Sequence, residues 1–561
     1  MYIRQGNSVR SSRGATLGIH RLGAHPIIAH FLARLNVESI VRSCVGAARQ
    51  GVLDHGQTLC ALVHNLLVSP GPLYRIAEWT APLEPNVLGF SPAQKEALND
   101  DRVARMLDTL VTERGRNIWF RLALRIIKQF EINTSRMHQD TTTVTFHGKY
   151  EGSVAEPCIT QGHNKDHRPD LKQLVFGLTV SADGAVPILH QVHSGNLTDD
   201  RVHHGNVEAL RGILGRSDFT YVADSKLCTL NNLDHIAQYG GFFVTVMPRT
   251  WKQDKHFRKS LRCQPIRWRE ILRIPNHRRQ DDPPNIFSSC AGRDQTEQGY
   301  RIVWIRSSQK AQEDGQYRQK LLQWAQTQLG ELRLKLNRRR LRARKAIQKV
   351  VDEILENTRT KAFLRVEIKS QTQWITRRLK RGRPAAKDPV QRVKQIAWSL
   401  RIAPDHKALT EEKRTDGVFP LLTNRLKLPK RDVLMIYKYQ PYLEKRFAGL
   451  KTDMEIAPVY LKKPLRAAGL IHAYFVTLAL ASLIEREVQR GMKREGIKSL
   501  PLLPEGRATK IPTCPRILEA FSDVSWYEYQ RGEDSVAFPI ELTNLHRTLL
   551  RLLGVPLEVY R

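Results

Sequence analysis

Two aspartates carry the first chemical signal in this chain. Asp140 lies in RMHQDTTTVTF, a compact β-branched stretch that predicts a strand, and Asp224 closes the apolar run FTYVADS. A carboxylate at the end of a buried strand is costly unless a metal ion or a cation neutralises it. Carboxylates from separate strands suit hard divalent cations such as Mg²⁺. Two such ions, about 3.5–4 Å apart, activate a water or hydroxyl, neutralise a phosphate and assist the leaving oxygen. The chemistry open to these residues is therefore phosphodiester cleavage. The competing reading of each aspartate is a cap on the turn that follows it.

Other candidates are weaker. Asp166, Asp170 and Asp183 fall in predicted loops and turns, where a solvated aspartate needs no explanation. His138, His163, His167, His190, His193, His203 and His204 form no i, i+4 pair on a predicted helix and no Cys/His finger, so they read as structural or phosphate-facing.

The elements around the aspartates set the expected architecture. Residues 1–132 alternate helical periodicity with breakers, including Ser91-Pro92 as an N-cap and first-turn proline, and read as an all-α N-terminal domain for DNA binding. From Ser135 the order is a strand with Asp140, a hairpin turning at Ala182-Asp183-Gly184, a helix over NVEALRGILG, a strand ending at Asp224, a helix over LNNLDHIAQYG and a strand over GFFVTVMPR. That is the order of an RNase H-like mixed sheet, in which the first and fourth strands lie side by side and bring both aspartates to one edge. The first part of this core covers 133–251, a basic insertion domain 252–415, the second part of the core 416–490 and a helical C-terminal tail 491–561.

Composition narrows the partner. The 561 residues include 90 Lys and Arg against 55 Asp and Glu, a net charge of +35 that points to a polyanion, with nucleic acid foremost. The longest apolar run, Gly469 to Ile484, is short for a bilayer and carries His472, so it reads as a buried core helix and no membrane is expected. Seven cysteines without a C-x-x-C pair read as free thiols in a reducing cytoplasm. The basic runs Arg338 to Arg344 and Arg377 to Arg383 read as phosphate contacts. Within the second, Arg381-Gly382-Arg383-Pro384 has the look of a minor-groove linker, making Arg381 and Arg383 candidate DNA contacts.

A third acid enters through resemblance. The segment YKYQPYLEKRFAGLK resembles the Tyr-x2-Arg-x3-Glu-x6-Lys signature of DDE insertion-sequence transposases, with Tyr437, Glu444 and Lys451 in register and Gln440 where that family has arginine. HQDTTTVTFHGKYEG, GHNKDHRPDLKQ, YVADSKLCT and DGVFPLLTN extend the resemblance from about Arg136 to Glu487. It implies a triad of Asp140, Asp224 and Glu444 holding two Mg²⁺ ions, or Mn²⁺ in their place, on a core with an insertion between the second aspartate and the glutamate. It implies DNA contacts from Tyr437, Gln440 and Lys451. A helix repeats its face every seven residues, so Glu444 and Lys451 point the same way, and Pro441 predicts that the helix begins or kinks there. The implied partners are double-stranded transposon ends and target DNA, with a homodimer on paired ends as the economical assembly. The implied setting is the nucleoid of a bacterium or archaeon. Two alternatives are a silent DNA-binding copy and a structure-selective nuclease that cuts without joining.

Overall fold

The computed structural model describes residues 2–560 apart from 6–7, 12–14, 47–52, 149, 151–156, 166–167, 198–201, 276–282, 293, 339, 380–388, 457–460, 462 and 532–533. The chain divides into two compact units, Met1–Thr245 with Met435–Arg561, and Val246–Leu434.

The first unit opens with strands where a purely helical domain was expected. β1 (Tyr2–Gln5), β2 (Ser8–Ser11) and β3 (Ala15–Arg21) precede helices α1 (His25–Leu35), α2 (Val37–Val45), α3 (His55–Val68), α4 (Ile76–Thr80), α5 (Pro92–Glu96), α6 (Asp100–Leu110) and α7 (Glu113–Gln129). Ser91 caps α5 as expected: its side chain accepts from Gln94 N, the Gln94 side chain returns to Ser91 N, and Pro92 sits in the first turn.

The central sheet follows. β4 (Arg136–Phe146), β5 (Lys172–Ser181), β6 (Pro187–Ser194), α8 (Val202–Leu214), β7 (Thr220–Val222), α9 (Leu230–Gln238) and β8 (Phe242–Val246) succeed one another, and the strands lie in the order β6-β5-β4-β7-β8. β4 to β6 form an antiparallel meander, whereas β4, β7 and β8 run parallel. The first and fourth core strands are thus neighbours, as the element order implies. β4 and β5 are buried almost throughout, so they read as continuous apolar and β-branched runs.

The second unit contains α10 (Lys252–Cys263), β9 (Trp268–Ile274), β10 (Asn285–Cys290), β11 (Arg301–Ser307), α11 (Ser308–Lys335), α12 (Arg344–Asn357), β12 (Leu364–Arg378), β13 (Val390–Pro404), α13 (His406–Lys413) and β14 (Val418–Thr423), and the chain leaves it through α14 (Lys430–Tyr437). This unit is wider than the expected insertion of 252–415. It includes β14, which pairs antiparallel with β11. Its own core gathers Leu329, Leu332, Ile347 and Val351 from α11 and α12 around Leu364 and Leu400 at the base of β12–β13.

Back in the first unit, α15 (Gln440–Thr452), α16 (Pro464–Glu495), α17 (Cys514–Glu519), β15 (Ser525–Arg531), β16 (Asp534–Phe538) and α18 (Asn544–Leu553) complete the chain. The C-terminal segment is not wholly helical. β15 pairs with β3 and with β16, closing a sheet β1-β2-β3-β15-β16 from the two ends of the chain. α16 has the length and apolarity to cross a membrane, yet its apolar window is 94% buried within the fold. It packs on α3, α6, α18 and β6 as the spine of this unit. Two glycines permit the closest crossings: a Cβ at Gly469 would lie 2.3 Å from the Leu107 carbonyl oxygen, and one at Gly491 2.8 Å from that of Leu552. His472 on α16 meets His190 on β6 at 2.5 Å, beneath Trp119 of α7. All seven cysteines are free thiols.

Candidate active site

Parallel pairing fixes the two aspartates. His138 of β4 is the register partner of Val222 of β7, and each aspartate lies two residues further along its chain. His138↔Val222 is the last pair of these two strands, which are separated by about 4.8 Å, so both aspartates follow closely on the end of their pairing. β7 ends at Val222 while β4 runs on to Phe146, so the pair sits where the sheet opens at the carboxyl end of β7. Open α/β sheets present ligand crevices at this kind of position.

Local bonds hold both acids. Asp140 Oδ1 accepts from Thr141 N at 2.7 Å. Asp224 Oδ1 accepts from Lys226 N at 2.9 Å, and Thr245 Oγ1 donates to the Asp224 carbonyl oxygen at 2.6 Å. The turn-capping reading of Asp224 therefore describes part of what this residue does.

Glu444 arrives on α15, whose first turn is bolted to β4. The Gln440 amide donates to the Gln139 carbonyl oxygen at 3.0 Å, and its Oε1 accepts from His138 Nδ1 at 3.1 Å. Burial holds the His138 imidazolium pKa down at about 4, so the ring is neutral and can donate from Nδ1. Glu444 stands one turn beyond Gln440 and is exposed, while Leu443, Phe447 and Leu450 fill the inner face of the helix. Half-buried Lys451 follows two turns after Glu444. Pro441 occupies the first turn of α15, and Tyr437 ends the preceding helix, so the signature segment bends between two helices rather than following one.

Tyr437 reports on all three acids. Its phenol is pushed up to about 12, first by burial and then by the negative charges of Asp224, Glu444 and Asp140. The charges of all three carboxylates are thus felt at one hydroxyl. Among the described residues, no group of three or more His, Cys, Asp or Glu side chains is closed into a metal-holding cluster. A cationic side chain stands by Asp140 instead: Lys165 Nζ is 3.5 Å from Asp140 Oδ1 and donates to the Thr141 carbonyl oxygen and hydroxyl at 2.6 and 2.9 Å. An all-carboxylate donor set fits Mg²⁺ or Mn²⁺ by type.

Several sequence expectations change here. Gln440 is 6% exposed with both ends of its amide engaged inside the protein, which corrects its assignment as a DNA contact. Arg381 and Arg383 lie outside the described residues, as do Asp166 and His167. Asp183 is bound bidentately by Arg486 in the turn beside the start of β4, away from the Asp140 end, and Asp170 is bound by Arg168. His190 pairs with His472, His203 with the Tyr221 hydroxyl, and His204 stacks on His235, all structural roles. Lys165 escaped the sequence reading because a lysine in a polar loop carries no periodicity or motif of its own.

Comparison with known proteins adds little to this geometry. A family model described as a domain of unknown function (DUF4277) matches residues 17–124, a stretch that holds none of the three acids. No curated protein matches the chain. Among solved structures the chain is similar to one described as a cryo-EM structure of piggyBac transposase synaptic complex with hairpin DNA, at 12% identity, over 51% of this chain and 52% of that one, with a TM-score of 0.24. The chain spans about half the length of that structure's chain, and an overlap this low carries no argument.

Proposed function

We propose that the chain is a DDE transposase with an RNase H-like core, cleaving double-stranded DNA at the ends of an insertion sequence and joining them to target DNA. The observation that carries this reading is that Asp140 and Asp224 each follow by two residues the last paired positions, His138 and Val222, of adjacent parallel strands, with Glu444 one turn beyond a helix start bolted to β4. In this reading Asp140, Asp224 and Glu444 hold two Mg²⁺ ions, or Mn²⁺ in their place. The ions would supply charge neutralisation at the scissile phosphate and a more acidic attacking water. Gln440 and His138 set the reach of Glu444 toward the strand ends. Tyr437, kept protonated first by burial and then by the negative charges of the three acids, offers a neutral hydroxyl donor to a phosphate oxygen. Lys165, beside Asp140, and Lys451, two turns after Glu444, offer cations to a DNA phosphate. The reading extends to a homodimer on paired ends and to the nucleoid of a bacterium or archaeon.

The deciding experiment is Mg²⁺-dependent cleavage of a labelled duplex carrying the element's own ends, comparing the protein with Glu444→Gln. Nicked and joined products from the protein, with binding but neither product from the variant, support the assignment. Equal cutting by both removes Glu444 from the triad. Binding without cutting by either leaves a silent DNA-binding protein, and cutting without joining leaves a nuclease.

A further inference from the structure

The β12–β13 hairpin has no role in the catalytic reading, and its construction is unusual. Fifteen consecutive antiparallel pairs, from Leu364↔Pro404 to Arg378↔Val390, make a two-stranded ribbon about 50 Å long. Its base is anchored. Leu364 and Leu400 enter the core of the second unit, and Asn337 grips Trp398 through both its carbonyl oxygen and its amide N–H, at 3.0 and 2.7 Å. Beyond Lys369 on β12 every side chain is exposed as far as Arg377, including Trp374 at 63%. An isolated ribbon of this kind is marginal in water by itself. Bare apolar surface on such an element marks a binding site.

Charge and register identify the occupant. The two strands carry seven basic residues and one acid, Glu367. Alternation sorts the distal side chains into two faces. Gln371, Gln373 opposite Gln395, and Arg377 opposite Gln391 share one face, with Ile375 opposite Val393 between the last two pairs. Trp374 opposite Lys394 and Thr376 opposite Arg392 share the other, with the Lys394 ammonium 5.2 Å from the Trp374 ring centroid. Amides and an arginine around an apolar pair match base edges: glutamine pairs bidentately with adenine, arginine with guanine, and an apolar side chain meets the thymine methyl. The major groove, about 12 Å wide, admits a two-stranded ribbon. An acidic protein surface would answer the positive charge but would leave the amides without function.

We infer that the β12–β13 ribbon is a duplex-reading arm, laying its Gln371–Gln373–Gln391–Gln395 face in the major groove while Arg392 and Lys394 hold flanking phosphates. The inference rests on the proposed reading only in taking duplex DNA as the partner. It assigns a sequence-reading surface that lies apart in the chain from the three acids.

The test uses the full chain and a randomised duplex library of about 25 base pairs, with bound sequences recovered by mobility shift and read out as a consensus. The quadruple Gln371→Ala/Gln373→Ala/Gln391→Ala/Gln395→Ala variant should lose the consensus at adenine-bearing positions and bind the wild-type consensus about tenfold or more weakly. Arg392→Gln/Lys394→Gln should weaken binding to all sequences alike and lower the log–log salt slope by about 2. All replaced residues are exposed or half-buried on the ribbon, so an unchanged melting curve certifies the fold. An intact consensus and affinity in the quadruple variant overturn the inference, as do failure of the wild type to select any consensus and preference for an RNA duplex competitor. Cleavage of element ends is scored in parallel with Glu444→Gln. A protein that selects sequence through the ribbon but never cleaves sinks the catalytic reading alone, and one that cleaves with ribbon-indifferent selection sinks this inference alone.

Discussion

The Gln440 side chain donates to the Gln139 carbonyl oxygen at 3.0 Å, one residue before Asp140, so the helix bearing the third acid is fastened to the strand bearing the first. Replacing Gln440 by leucine removes this bolt while keeping its bulk. Cleavage should fall by about 10- to 100-fold, since small misplacements of reacting groups cost rates of that order, with affinity for duplex ends unchanged within roughly a factor of two. Weaker DNA binding at an unchanged single-turnover rate would return Gln440 to the DNA-contacting role suggested by its place in the sequence. Gln440→Arg, the residue of the resembled signature, buries a guanidinium beside the neutral His138 and should lower the melting temperature.

Lys165 neutralises Asp140 at 3.5 Å. Its removal in Lys165→Met leaves the aspartate more available to a divalent ion. The prediction is a larger rise in melting temperature with added Mg²⁺ than the unmodified protein shows, since tenfold tighter binding adds about 1.4 kcal/mol at saturation. An equal or smaller rise in the variant would mean that Lys165 is not a competitor for the cation.

Buried histidine pairs make stability depend on acid. Burial lowers His25 and His472 from 6.5 to about 4, and their partners His64 and His190 are lowered further by burial and by the neighbouring imidazole. The unfolded chain therefore binds more protons than the folded one between pH 6.5 and 4. Stability is full above about pH 7 and falls as the pH drops through that window, by at most about 3 kcal/mol for each of His25 and His472. Melting curves from pH 8 to 4 should be level at first and then slope downward; a level curve throughout would contradict the burial of these rings.

Gly469 lies where α16 crosses α6, and a methyl group there would sit 2.3 Å from the Leu107 carbonyl oxygen. Gly469→Ala should destabilise the first unit by about 1–3 kcal/mol. Gly330→Ala, within α11 and with nothing inside 4 Å of the added carbon, should stabilise by about 0.5–1 kcal/mol. Differential scanning calorimetry of both variants separates crowding from helix propensity. Equal effects would refute the close crossing.

The sheet carrying Asp140 and Asp224 was legible because its strands are buried and close together in the chain. TTTVTF, KQLVFGLTVS and FTYV declare themselves by β-branched and aromatic content, and the connecting helices by their caps and periodicity. β3 and β15 were not legible, since ATLGIHR and SWYEYQR find their hydrogen-bond partners some 500 residues apart in the chain. β14 was legible as a strand from its apolar run, although that run does not name the strand it pairs with. At the site, residue type pointed to the aspartates and resemblance to Glu444. The bolt through Gln440 and the ammonium of Lys165 are products of tertiary packing, which no local pattern encodes.

The spine of the first unit, α16, follows β8 only after the whole second unit. On a ribosome adding about 5–20 residues per second, the N-terminal helices and the sheet with both aspartates emerge roughly 10–40 s before the helix that covers them. During that interval the faces of α3 and α6 that pack on α16 lack that partner, while the second unit, with its own core, is free to fold. The second unit can therefore fold before the first is complete, although it lies within the first in the chain.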